Sequence, residues 1–146
     1  DHRDLHVRSR RQRQMCIRDR ISIVAARWNA ELVDNLVHSA FEHLTLIGYQ
    51  NIDTIYVPGS WELVHASQRA LEMSDGVISF GVVIRGETTH YEIISESVSQ
   101  GLMQISIEAK KPLALGLIAT ENFDQAKRRC DPSDLNKGKE IAQSLA

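Results

Sequence analysis

Apolar residues along this chain fall into two kinds of run that alternate from Ile21 onward. Ile21-Ser-Ile-Val-Ala-Ala26 is a short continuous apolar run and predicts a buried strand. Leu32, Val33, Leu36, Val37, Ala40, Phe41, Leu44 and Ile47 then recur at helical spacing, with Gly48 as the C-terminal stop. Ile52–Val57 reads as a second strand, broken by Pro58-Gly59. The pattern next predicts a helix over 60–73, a strand over 76–83, and a helix over 89–109 whose continuity Gly101 weakens. A fourth strand over 113–119 and two short helices, over 122–129 and Lys137–Leu145, complete the chain. Strand–helix alternation with short connections implies parallel strands joined by right-handed crossovers. The expected architecture is a three-layer α/β/α sandwich around a four-stranded parallel sheet.

Composition changes this picture only at the N-terminus. Residues 21–146 suffice for one compact domain and are too few for two. No apolar run approaches the ~18 residues of a membrane helix. Cys16 and Cys130 form no metal or redox spacing, and a reduced, cytoplasmic setting is expected. Charge is split. Residues 1–20 hold seven Arg against three Asp, whereas residues 21–146 carry a net of −6. The body therefore lacks the basic character of a nucleic-acid binder. Residues 1–20 are sparse in apolar positions, have no steady period and are expected to be disordered. Residues 11–19 also read like translated sequencing-adapter sequence, so this segment is expected to be non-native.

In such a sheet, sites gather beyond the carboxyl ends of the strands. The polar groups at those ends are Arg27-Trp28-Asn29, Pro58-Gly59-Ser60-Trp61-Glu62, residues 85–90 and Thr120-Glu121-Asn122. Within Gly81-Val-Val-Ile-Arg-Gly-Glu-Thr-Thr-His90, the pattern Thr89-x-x-Glu92 is a capping box that places a helix start near Thr89, with His90 in the first turn. The unpaired N–H groups of that turn suit a phosphate or another anion. His90 is positioned for proton transfer. No Gly-x-Gly-x-x-Gly or Walker-type loop occurs, so a dinucleotide or nucleoside-triphosphate function lacks its fingerprint. Each residue also has a plainer reading. A helical histidine is more often structural, Trp28 and Trp61 can be core residues, and Thr88 and Thr89 can simply cap a helix. Lys127-Arg128-Arg129 can be a solvated face at a helix C-terminus.

Taken together, Arg27-Trp28-Asn29, Val57-Pro58-Gly59-Ser60-Trp61-Glu62-Leu63, residues 81–90, Asp124-Gln125-Ala126 with Arg129, and Asn136-Lys137-Gly138 resemble the lumazine synthase family in order and spacing. The resemblance covers residues 21–146 and implies a flavodoxin-like fold. It implies condensation of 5-amino-6-ribitylaminouracil with 3,4-dihydroxy-2-butanone 4-phosphate, without metal or organic cofactor. Carried onto this sequence, Trp28 stacks on the pyrimidine, Ser60, Trp61 and Glu62 hold the ribityl chain and ring edge, and Val83 and Ile84 offer backbone contacts. Glu87, Thr88 and Thr89 place the phosphate, Arg129 pairs with it, and His90 moves protons. Leu115 and Lys137 line the same pocket, with Leu115 and Arg129 coming from a neighbouring subunit of a homo-oligomer, a pentamer or a multiple of pentamers.

The sequence departs from the family pattern in four places. Trp28 stands where Phe is commoner, and Leu115 where an aromatic is frequent. The linker Asp131-Pro132-Ser133-Asp134-Leu135 replaces a more glycine-rich one. Before Ile21 the resemblance implies a further segment that pairs with a neighbour's sheet, a place held here by residues 1–20. The altered wall and linker motivate an alternative, a non-catalytic flavin- or lumazine-binding or shell-forming homologue.

Overall fold

A computed structural model describes residues 15–87 and 89–146. The elements in order are β1 (Ile21–Ala26), α1 (Ala30–Leu46), β2 (Ile52–Val57), a 3₁₀ turn (Ser60–Glu62), α2 (Leu63–Met73), β3 (Gly76–Ile84), α3 (Tyr91–Ala109), β4 (Leu113–Thr120), α4 (Phe123–Cys130) and α5 (Lys137–Leu145). All strand pairings are parallel, and the sheet order is β2-β1-β3-β4. This is the expected three-layer, flavodoxin-like sandwich.

The two central strands, β1 and β3, are buried at every position. A parallel strand covered on both faces needs apolar residues throughout, which is why these strands read as continuous runs. Side chains alternate between two cores. Ile21, Ile23, Ala25, Ile78, Phe80 and Val82 pack with α1, α4 and α5. Val24, Ala26 and Val77 pack with α2 and α3. The edge strand β4 alternates in exposure.

Local chemistry sets the element ends. α1 stops at Leu46, where Gly48 takes φ 110° and the Tyr49 amide reaches the Leu44 carbonyl at 3.0 Å. That is the Schellman closure a C-terminal glycine permits. Asn122 caps α4, its Oδ1 accepting from the Gln125 amide at 2.9 Å. α3 runs through Gly101 without a break. The helix expected over 60–73 begins as the 3₁₀ turn before becoming α-helical at Leu63.

One boundary differs more. α3 starts at Tyr91 with His90 as its N-cap, and no side chain caps it, so the Thr89–Glu92 box does not form. The Glu92 carboxylate accepts instead from the Arg85 guanidinium. That carboxylate is also bonded by its own backbone amide, so its acceptor sites are taken up within residues 85–92 without reaching back to Thr89. Residues 15–20, read from the sequence within a disordered tail, lie against the amino ends of the strands. Arg20 accepts an amide bond from Asp75 and pairs with Asp53 at 3.2 Å. The rest of that segment, residues 1–14, and Thr88 lie outside the described residues.

Candidate active site

Main-chain bonds carry β1 and β2 together past their last paired residues. The Arg27 amide reaches the Val57 carbonyl at 2.7 Å, and the Trp28 amide reaches that of Pro58 at 3.1 Å. This brings Trp28 and the Pro58–Glu62 turn face to face above the sheet. Between them and the end of β3 lies a cavity of about 360 Å³, lined by Trp28, Pro58, Gly59, Ser60, Trp61, Glu62, Val82, Val83, Ile84, Glu87 and Ile94. Seven residues singled out from the sequence therefore share one cavity: Trp28, Ser60, Trp61, Glu62, Val83, Ile84 and Glu87. Trp28 and Trp61 are 59% and 60% exposed, so neither is a core residue.

Each wall has a structural reason. Ser60 sits over β3 at Gly81, where an added Cβ would fall 2.6 Å from Ser60 Oγ. Only glycine lets the turn approach that closely. Glu62 is pinned by its own turn, Oε1 accepting from the Gly59 amide at 2.9 Å. Asn29, left-handed at φ 60°, donates from Nδ2 to the Val82 carbonyl and to Glu87 Oε1, both at 3.0 Å. The sequence placed Asn29 in a motif without giving it a role, because a left-handed backbone and two long-range partners have no local signature. Ile94 was missed as well, since at helical spacing it looks like any core residue.

His90 lies just before α3, its carbonyl accepting from the amide of Ile94, which lines the cavity. Thr89 is exposed in the preceding turn. The one cation in this loop, Arg85, is engaged by Glu92 and by Glu121 at 3.3 Å and lies over the Tyr91 ring at 5.6 Å.

Neither Thr89 nor His90 is among the residues that line the cavity, and three further candidates lie on other elements. Leu115, 46% exposed, lines a separate groove with Met103 and Ile107. Arg129 is on α4, and its Nη1 is buried with no hydrogen-bond partner among the described residues. Lys137 opens α5 and bonds Glu140 at 2.9 Å.

The family profile of 6,7-dimethyl-8-ribityllumazine synthase matches residues 18–146, which takes in the cavity and all three of these outlying candidates. The chain belongs to this family. A 6,7-dimethyl-8-ribityllumazine synthase of Bdellovibrio bacteriovorus is 39% identical over 125 residues, covering 85% of this chain and 70% of the relative. One of Pediococcus pentosaceus is 38% identical over 130 residues, 86% of this chain and 83% of the relative. One of Stenotrophomonas maltophilia is 39% identical over 127 residues, 84% and 82% respectively. The cavity is where seven of the residues named from the resemblance to lumazine synthase meet.

No group of three or more His, Cys, Asp or Glu able to hold a metal occurs among the described residues. No described helix is long and apolar enough to cross a membrane.

Proposed function

We propose that this chain is a lumazine synthase of riboflavin biosynthesis, a transferase that condenses 5-amino-6-ribitylaminouracil with 3,4-dihydroxy-2-butanone 4-phosphate and releases phosphate and water. The observation that carries the reading is the convergence of Trp28, Ser60, Trp61, Glu62, Val83, Ile84 and Glu87 on one cavity in a chain that matches this family. The non-catalytic alternative is not favoured, because each of the three relatives above bears the enzyme's name.

The chemistry asks mainly for placement. Holding two reactive small molecules in register supplies ~7–11 kcal/mol of a bimolecular barrier. An exposed indole, Trp28, offers a stacking face for the pyrimidine. Glu62, with Oε1 already fixed, accepts from ribityl hydroxyls, and the carbonyls and amides of Val83 and Ile84 serve the uracil edge. The substrate amine attacks the ketone and one water leaves as the imine forms. Phosphate then departs, and the ribitylamino nitrogen attacks the remaining carbonyl, closing the ring with loss of a second water while His90 moves the protons. One placed acid–base group is worth ~10²–10⁴-fold.

Phosphate needs a cation as well as the main chain of Glu87, Thr88 and Thr89. Arg85 is occupied by two carboxylates, whereas Arg129 has a buried guanidinium nitrogen without a partner among the described residues. Leu115 and Arg129 stand apart from the cavity of their own chain, which supports their delivery by a second copy. The active form is accordingly a homo-oligomer, a pentamer or a multiple of pentamers. A cytoplasmic setting agrees with two cysteines that form no disulfide.

The deciding experiment follows lumazine formation by absorbance from both substrates with the full 146-residue chain, sized in the same preparation. Product from an oligomer supports the assignment. A phosphate-binding oligomer that makes no lumazine overturns it.

A further inference from the structure

We propose that Asn29 is a positioning residue that holds the Glu87 carboxylate over the cavity, where it binds the hydroxyl-rich, phosphate-free substrate and sets its specificity. The inference rests on the reaction proposed above and assigns the Glu87 side chain to the pyrimidine partner, while its main chain stays with the phosphate loop.

Asn29 is held from two sides. Its left-handed backbone, φ 60° and ψ 46°, turns the chain from β1 into α1, a conformation that asparagine accepts more readily than most residues. The β1–β3 pairing ends at Ala25 and Phe80, so the Val82 carbonyl lies beyond the reach of the ladder. One Nδ2 hydrogen satisfies that carbonyl at 3.0 Å, and the second reaches Glu87 Oε1 at 3.0 Å. With both amide hydrogens committed, the side chain has one orientation, and it transmits that orientation to Glu87.

Glu87 is otherwise an exposed residue in a short turn, where a free glutamate samples many rotamers. Fixing Oε1 removes most of that freedom and leaves the carboxylate with unused acceptor sites beside the cavity it lines. Glu62, which lines the same cavity from the turn after β2, is arranged in the same way, with Oε1 held by the Gly59 amide. The cavity thus presents two carboxylates, each pinned through one oxygen. A pair of fixed acceptors suits a polyhydroxylated, amine-bearing molecule, and an anion repels a phosphate ester. Charge sign therefore assigns Glu87 to the pyrimidine partner.

The test uses Glu87→Gln, Asn29→Gly and the double variant of the full chain. Glu87→Gln keeps an oxygen that accepts from Asn29 and removes the charge. Asn29→Gly keeps the left-handed backbone and removes both bonds. A hydrogen bond to a charged group predicts about a tenfold rise in the KM for 5-amino-6-ribitylaminouracil in each single variant. The KM for the butanone phosphate should not rise, and the double variant should be no worse than the more impaired single one, as coupled residues require. Binding of the pyrimidine alone, followed by tryptophan fluorescence, should weaken to the same extent. An unchanged pyrimidine KM in Glu87→Gln, equal rises for both substrates, or additive effects in the double variant each overturn the inference. Should the unaltered chain make no lumazine, the enzymatic reading fails; a tenfold loss of pyrimidine binding in Glu87→Gln would then still uphold the Asn29–Glu87 pair.

Discussion

Arg129 and Cys130 are adjacent in α4 yet meet burial in opposite ways. The Cys130 thiol is pushed from 9.0 up to about 11 by desolvation, against a small opposing pull from the Arg129 charge. Its neutral form is the folded one. The contribution is therefore fully present below pH 9 and lost as pH rises toward 11, because the unfolded chain gives up that proton first. Native protein should expose one thiol to an aromatic disulfide reagent at pH 8, the exposed Cys16, and unfolded protein two. Rapid modification of both in native protein would contradict the burial. Arg129 has a buried nitrogen with no partner among the described residues, a costly arrangement unless an anion completes it. Inorganic phosphate should raise the Tm of the unaltered protein and not that of Arg129→Ala. In the assay, Arg129→Ala should raise the KM for the phosphate substrate far more than that for the pyrimidine. At the acid end, Glu92 is held below its usual range first by its own backbone amide and then by Arg85, and Asp131 by bonds from Ser133. Both contributions are present above the ordinary carboxylate range and are lost as pH falls through it, so Tm should drop on acidification.

At the level of elements, two glycines fix how close the layers come. Gly138 of α5 faces the backbone of α1, and a Cβ there would lie 2.5 Å from the Leu36 carbonyl oxygen. Backbone cannot yield as a side-chain tip can, so Gly138→Ala should cost ~1–3 kcal/mol, seen as a lower midpoint in urea. Gly81 has a different consequence, because its neighbour is Ser60 in the cavity wall. Gly81→Ala should displace Ser60 and raise the pyrimidine KM with a smaller loss of stability than Gly138→Ala. Equal stability losses with unchanged kinetics would show that the turn moves freely. The elements themselves were legible from the sequence. The continuous runs of β1 and β3 follow from burial on both faces, and Gly48 and Asn122 mark helix ends through local backbone chemistry. The start of α3 was not legible, because the fate of Glu92 depends on Arg85, seven residues away and outside the helix.

For the whole molecule, the separation of Arg129 and Leu115 from the cavity has a direct consequence. If neighbouring copies complete each site, a mixture of Glu62→Ala and Arg129→Ala subunits contains some sites with neither change. Co-expressed subunits in random closed rings should then recover about a quarter of the unaltered activity, although each variant alone is nearly inactive. Recovery no greater than the sum of the two variants would place the whole site within one chain. Specific activity should also fall on dilution to monomer.

The sequence by itself determined the class of fold, the order of its elements and the family, because each rests on local periodicity or on motifs short enough to read in line. It also named seven residues that meet in one cavity, since all of them lie just past strand ends, where parallel sheets concentrate their sites. Only the tertiary structure decided which wall each residue forms and what holds it. Asn29 bridging β3 and Glu87, Arg85 taken up by Glu92 and Glu121, and the distance of Leu115 from its supposed pocket all depend on pairings between segments far apart in the chain. Periodicity reports which face of an element is buried and is silent on such long-range partners, because a hydrogen bond is a relation between two positions that folding alone brings together.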